Sequence, residues 1–124
     1  MDVIHTALWV SDIDRTIEYY TEGLGLEHNW EFTSDGVRNV YLGGAHGELQ
    51  CKYDPDGEYE TGGGGGVDHI AIGVESTDEA FEQLIEREDP PVHEPPTTLE
   101  QISRRVAFVE DPDGYVVELV ERLD

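Results

Sequence analysis

The chain has 124 residues, with 29 acidic side chains against 7 basic ones and a net charge of −22. That length suits one compact domain with its own core. The charge leaves no basic footprint for nucleic acid, and no apolar run is long enough to span a membrane. Cys51 is the only cysteine, so no internal disulfide is possible, and the start of the chain lacks a signal-peptide pattern; a cytoplasmic location is expected. Lys52 is the only lysine. Regular strand and helix patterning argues against disorder. The competing readings are an ordinary acidic protein and one adapted to a cytoplasm of molar salt, where charge repulsion is screened within about 3 Å; the near-absence of lysine favours the second.

In chain order, the first strand alternates Ile4, Leu8 and Val10 on one face with His5, Ala7 and Trp9 on the other. A helix follows over about residues 12–22. Ser11 or Asp12 is its N-cap, Ile13, Ile17, Tyr20 and Leu24 are its apolar stripe, and Gly23 or Gly25 is the left-handed exit. Strands are predicted near 38–43 and 47–53, the second with Leu49, Cys51 and Tyr53 opposing Glu48, Gln50 and Lys52. Gly62 to Gly66 reads as a flexible connection. Beyond it, Ile70, Ile72 and Val74 oppose His69, Ala71 and Gly73.

A second helix covers 77–88, opened by Ser76 with Glu79 and closed by Pro90-Pro91, with Ala80, Phe81, Leu84 and Ile85 on its buried face. Strands at 105–110 and 115–121 flank the tight turn Asp111-Pro112-Asp113-Gly114, and Val117 and Leu119 oppose Glu118.

The chain also repeats itself. A shift of 64 places His5, Ala7, Val10, Asp14 and Glu18 on His69, Ala71, Val74, Asp78 and Glu82, all identities. The expected organisation is one α+β domain of two βαβββ modules, residues 1–60 and 67–124, joined by a glycine linker at 61–66. Two such sheets, curving toward each other, would enclose a concave, partly polar cavity.

His5, Glu48, His69 and Glu118 all fall on the faces that would line that cavity. Two imidazoles and two carboxylates suit a divalent transition metal. A strand histidine is by default structural or exposed, and a glutamate in so acidic a chain is by default solvated; the exact repeat of the pattern favours ligation. His28, His46 and His93 match nothing and are expected to be exposed, and Cys51 belongs to the core.

The blocks Ile4-His5-Thr6, Asp12 to Tyr20, Gly23-Leu24-Gly25-Leu26, Asp68-His69-Ile70-Ala71 and Val106 to Tyr115 resemble the glyoxalase I family, short bacterial type. More broadly they resemble the vicinal oxygen chelate superfamily, also called the glyoxalase–bleomycin resistance–dioxygenase superfamily. The resemblance covers nearly the whole chain.

The resemblance implies a homodimer with sites between chains. Each site would hold one divalent metal per chain on His5, Glu48, His69 and Glu118, nickel or cobalt ahead of zinc. It implies a carbon–sulfur lyase that isomerises the hemithioacetal of methylglyoxal and a thiol to an S-lactoyl thioester. The proton moves between adjacent carbons beside a carbonyl, which calls for an electrophile and a carboxylate base. Glu118 is the expected base, with Glu48 facing it. The competing readings are a ligand- or antibiotic-sequestering protein of the same fold, an acyl-CoA epimerase and an extradiol-type dioxygenase.

The chain departs from the family at three positions. Trp9 stands for an Arg, Lys52 for an Asn, and Glu94 for a frequently basic residue. With Arg104 and Arg105, Trp9 and Lys52 are the candidate substrate contacts. These departures favour γ-glutamylcysteine or another acidic thiol over glutathione. The Pro-rich segment from Pro90 to Pro96 is a candidate cover for the site.

Overall fold

The computed structural model describes residues 1–62 and 67–124, so most of the predicted glycine linker lies outside the described residues. The chain divides into two compact units, Met1–Thr61 and Gly62–Asp124. The first contains β1 (His5–Trp9), α1 (Ile13–Glu18), β2 (Glu27–Ser34), β3 (Val37–Gly43) and β4 (Glu48–Tyr53). The second contains β5 (Ile70–Gly73), α2 (Thr77–Glu88), β6 (Val92–Leu99), β7 (Arg104–Glu110) and β8 (Val116–Arg122). Each sheet has four strands, ordered β1-β4-β3-β2 in the first unit and β5-β8-β7-β6 in the second. The outer pairs β1·β4 and β5·β8 are parallel and the others antiparallel. The α+β architecture of paired βαβββ modules is therefore present. Among the described residues no helix is long and apolar enough to cross a membrane.

The first helix begins where its cap requires. Asp12 has extended backbone, and its Oδ1 accepts the Arg15 N–H at 3.2 Å. The expected helix over 12–22 does not stay α throughout: Tyr19–Gly23 widens into a π turn, with Leu24 N–H donating to Tyr19 O at 3.1 Å. Two consecutive tyrosines, Tyr19 and Tyr20, are thereby both buried, their rings edge-on at 5.0 Å. Gly25, at φ +90, makes the left-handed exit. In the second unit Ser76 Oγ accepts the Glu79 N–H at 3.2 Å, and α2 runs over the predicted span to a left-handed Asp89.

The core lies between each helix and its sheet. In the first unit Leu8, Val10, Ile13, Leu49 and Cys51 are buried; in the second Leu84, Ala107, Val109, Val117 and Leu119 are buried. Ile4 departs from its expected place: it precedes β1 and is 66% exposed. The Pro-rich segment also departs from expectation. It is the edge strand β6, paired to β7 with irregularities between Val92 and Glu94 and between Glu94 and Thr97. Proline lacks an amide donor, so sheets tolerate it at such edges and bulges. The turn before β8 is structural, since Asp111 Oδ1 accepts the N–H groups of Asp113 and Tyr115 at 2.8 and 2.9 Å.

Candidate functional site

The predicted face alternation holds in both sheets, and it places the four candidate ligands as one pair per unit. In the first unit His5 on β1 is the register partner of Glu48 on β4. Gly43 on β3 is the antiparallel partner of Glu48, and a Cβ at Gly43 would run into the Gly47 carbonyl, so the approach beside Glu48 requires glycine there. Asn29 Nδ2 donates to Glu48 Oε2 at 2.9 Å, which fixes one carboxylate oxygen and leaves Oε1 for another partner.

In the second unit His69 immediately precedes β5. Its Nε2 is 3.1 Å from Glu118 Oε1 and its Nδ1 is 2.6 Å from Asp68 Oδ2. Each imidazole stands edge-on to an aromatic ring, His5 to Tyr41 at 5.6 Å and His69 to Phe108 at 5.7 Å.

Among the described residues no group of three or more His, Cys, Asp and Glu side chains is arranged to hold a metal ion. The donors stand as a His/Glu pair in each unit. Their chemistry fits a divalent cation that accepts nitrogen and oxygen ligands. The outer contacts fit as well. A carboxylate on Nδ1 selects the tautomer that exposes Nε2, and an amide on one glutamate oxygen orients the other. Asp68 holds the His69 imidazole above its ordinary pKa through this hydrogen bond; burial opposes the shift and the charge of Glu118 adds to it. Glu118 is 15% exposed, so its carboxylate is largely shielded from solvent.

The remaining candidates have distinct surroundings. Lys52 is part-buried, its Nζ donating to Asn39 Oδ1 at 3.0 Å and standing 5.3 Å from the Trp9 ring. Gln50 Nε2 donates to the same Asn39 oxygen at 3.0 Å. Trp9 stacks on Tyr59, ring centres 3.6 Å apart and planes 2° from parallel, in a cleft of about 320 Å³ also lined by Tyr53, Asp54 and Pro55. Arg104 lies on the sheet face that carries Glu118. Arg105 does not: it turns to the helix side and clasps Asp78 of α2 at 2.7 and 2.9 Å. As a substrate contact Arg105 is thus displaced by a structural role.

The partners Asn29, Asp68, Asn39, Gln50 and Tyr59 carry no sequence signal of their own, except that Asp68 adjoins His69. An aromatic strip missed by the sequence reading completes the face of the first unit. Trp30, 50% exposed, stacks on Tyr41 at 4.0 Å and on Phe32 at 5.6 Å.

Residues 3–119 match the Glyoxalase/Bleomycin resistance protein/Dioxygenase superfamily model. The chain is 34% identical over 140 residues to a protein of Escherichia coli named lactoylglutathione lyase, covering 100% of this chain and 95% of that one. It is 33% identical to a rice protein of the same name, covering 97% of this chain but 43% of that one, so it spans under half of the plant protein's length. Among solved structures, glyoxalase I from Zea mays aligns with a TM-score of 0.79 at 26% identity, over 98% of this chain and 45% of that one. The trypanothione-dependent glyoxalase I of Leishmania major aligns with a TM-score of 0.78 at 31% identity, over 98% and 86%.

Proposed function

Since the chain belongs to the glyoxalase/bleomycin resistance protein/dioxygenase superfamily, we propose that it is a glyoxalase I-like carbon–sulfur lyase. It isomerises the hemithioacetal of methylglyoxal and a small thiol to an S-lactoyl thioester. The observation that carries this reading is the repeated His/Glu pair: His5 opens the first strand of its unit and His69 immediately precedes the first strand of its own, each beside a glutamate of the last strand, with Asn29 bonded to Glu48 and Asp68 to His69.

His5, Glu48, His69 and Glu118 would hold one divalent metal, nickel or cobalt ahead of zinc, in a homodimer whose sites draw on both chains. When bound, the metal would supply a Lewis acid toward the two neighbouring substrate oxygens. The remaining work belongs to the side chains. Glu118 takes the proton from the carbon bearing sulfur and returns it to the adjacent carbon. Its shielding from bulk water keeps that proton from exchanging freely. Asp68 keeps the Nδ1 proton on His69, and Asn29 restrains Glu48.

The proposed thiol is γ-glutamylcysteine or another small acidic thiol. Lys52, pre-set between Asn39 and Trp9, supplies the ammonium for a carboxylate, and the similarity to a trypanothione-dependent glyoxalase I of Leishmania major supports a thiol other than glutathione. The acidic composition supports work in the cytoplasm of a high-salt organism.

The exposed stack of Trp30 and Phe32 favours one further reading, a protein that sequesters an aromatic ligand. Turnover separates the two. Metal-loaded protein given methylglyoxal and γ-glutamylcysteine in concentrated KCl should form a thioester absorbing in the ultraviolet. Glu118→Gln should lower kcat by about a hundredfold or more while leaving binding of an unreactive thioether nearly unchanged. Stoichiometric binding of aromatic ligands with no thioester from any thiol would overturn the lyase reading.

A further inference from the structure

The last strand of each unit carries a cation four residues beyond its candidate carboxylate ligand: Lys52 follows Glu48, and Arg122 follows Glu118. Even spacing keeps each cation on its carboxylate's face. The opposite face of β8 is marked by Glu121, which turns toward α2 and accepts the Thr77 N–H at 2.9 Å. Directly across from Arg122, in register on β7, stands Arg104. Its neighbour Arg105 points to the helix side, so Arg104 and Arg122 share the face of Glu118.

Like charges directly opposite one another destabilise a strand pair. A chain with only 7 basic side chains among 29 acidic ones has nevertheless placed two of them there. Local rules are broken in this way most often where function requires it. Arg104 is half-buried and anchored through one nitrogen: Nη1 donates to the carbonyls of Ile102 at 3.1 Å and Ser103 at 3.0 Å and to Asp124 Oδ1 at 3.2 Å. Nε and Nη2 lie outside these bonds. Among the described residues no hydrogen bond or ion pair holds Arg122.

We propose that Arg104 and Arg122 form a carboxylate-binding pair that fixes an acidic end of the thiol reacting at Glu118. The four-residue step along β8 spans about 13 Å. A thiol with a dipeptide-sized arm bridges that span together with the reach of an arginine side chain. A guanidinium fork meets a carboxylate with two parallel N–H donors, and two facing forks suit a group of concentrated negative charge. Asp124 is the internal carboxylate with which the substrate competes for Arg104. The assignment takes its ligand from the lyase reading, but carboxylate binding is measurable without turnover.

The test uses Arg122→Gln and the double variant Arg104→Gln/Arg122→Gln, with Arg122→Lys keeping the charge but not the fork. Two quantities are measured at low salt and in concentrated KCl. One is kcat/KM for methylglyoxal hemithioacetals of γ-glutamylcysteine, mercaptosuccinate and mercaptoethanol. The other is the calorimetric Kd of unreactive S-methyl-γ-glutamylcysteine.

Arg122→Gln should weaken both quantities for the acidic thiols by about tenfold at low salt, the loss of one charge-assisted hydrogen bond, and leave mercaptoethanol within about twofold. Arg122→Lys should recover part of that loss, and Asp124→Asn should tighten the S-methyl compound. An unchanged Kd, or equal losses for acidic and neutral thiols, overturns the pair. If the parent protein turns over none of the thiols, the lyase reading fails and the Kd alone decides: a tenfold weakening upholds the pair, and no weakening or no binding overturns it.

Discussion

Replacing Lys52 with methionine isolates the cation of the first unit. The ammonium has three donors; one goes to Asn39 Oδ1 at 3.0 Å, which aims the others and leaves them for a substrate carboxylate. A hydrogen bond to a charged group contributes roughly 1.5–3 kcal/mol, so kcat/KM for γ-glutamylcysteine hemithioacetal should fall by about tenfold at the low end and about a hundredfold at the high end. The side chain is part-buried, so concentrated KCl should remove only a fraction of the effect.

Folding should survive. Asn39 Oδ1 keeps its bond from Gln50 Nε2 at 3.0 Å, and the lost cation–π contact with Trp9 is worth about 0.5–1 kcal/mol. Methionine replaces the aliphatic stem. The assay is steady-state thioester formation across an acidic and a neutral thiol, with a urea midpoint as the control for folding. Equal losses with γ-glutamylcysteine and mercaptoethanol, or a parent protein that prefers glutathione, would refute the reasoning.

Purified protein should carry about one divalent metal per chain, and elemental analysis should show less metal in His5→Ala and Glu48→Gln; unchanged content in both would remove these ligands. If sites draw on both chains, mixing a His5→Ala chain with a His69→Ala chain should restore part of the activity, since one hybrid site keeps all four ligands. Heterodimers verified by mass spectrometry that stay inactive would count against shared sites. A pH dependence follows from Asp78, whose carboxyl is held below its ordinary pKa by the hydrogen bond from Arg105, with burial opposing. A depressed folded value means the bond stabilises above the unfolded value and is lost as pH falls through the folded one. Asp78→Asn should therefore lower the urea midpoint near neutrality, and its deficit should vanish in acid; a deficit unchanged down to the most acidic pH at which the parent stays folded would contradict this.

Much of the fold was legible because its signals are local. Ser76 caps α2 at the predicted residue, and Asp111 closes its turn with its own side chain. Gly25 takes the left-handed exit after the first helix. Strand alternation, a period of two set by backbone geometry alone, placed Glu48 and Glu118 on the faces opposite the buried Leu49, Cys51, Val117 and Leu119. The 64-residue repeat matches the strand order that each unit has in its own sheet.

What only tertiary structure decided were the partners, because hydrogen bonds across strands depend on register rather than on sequence spacing. Asn29 reaches Glu48 across the sheet, 19 residues away. Lys52 is part-buried and bonded, because antiparallel pairing brings Asn39 beside it. The π turn at Tyr19–Gly23 resolves the burial of two adjacent tyrosines, which an ideal helix would turn to different sides. Arg104 and Arg105 look interchangeable in sequence, yet one residue of strand period sends Arg105 to Asp78 on the helix side and Arg104 to the face of Glu118.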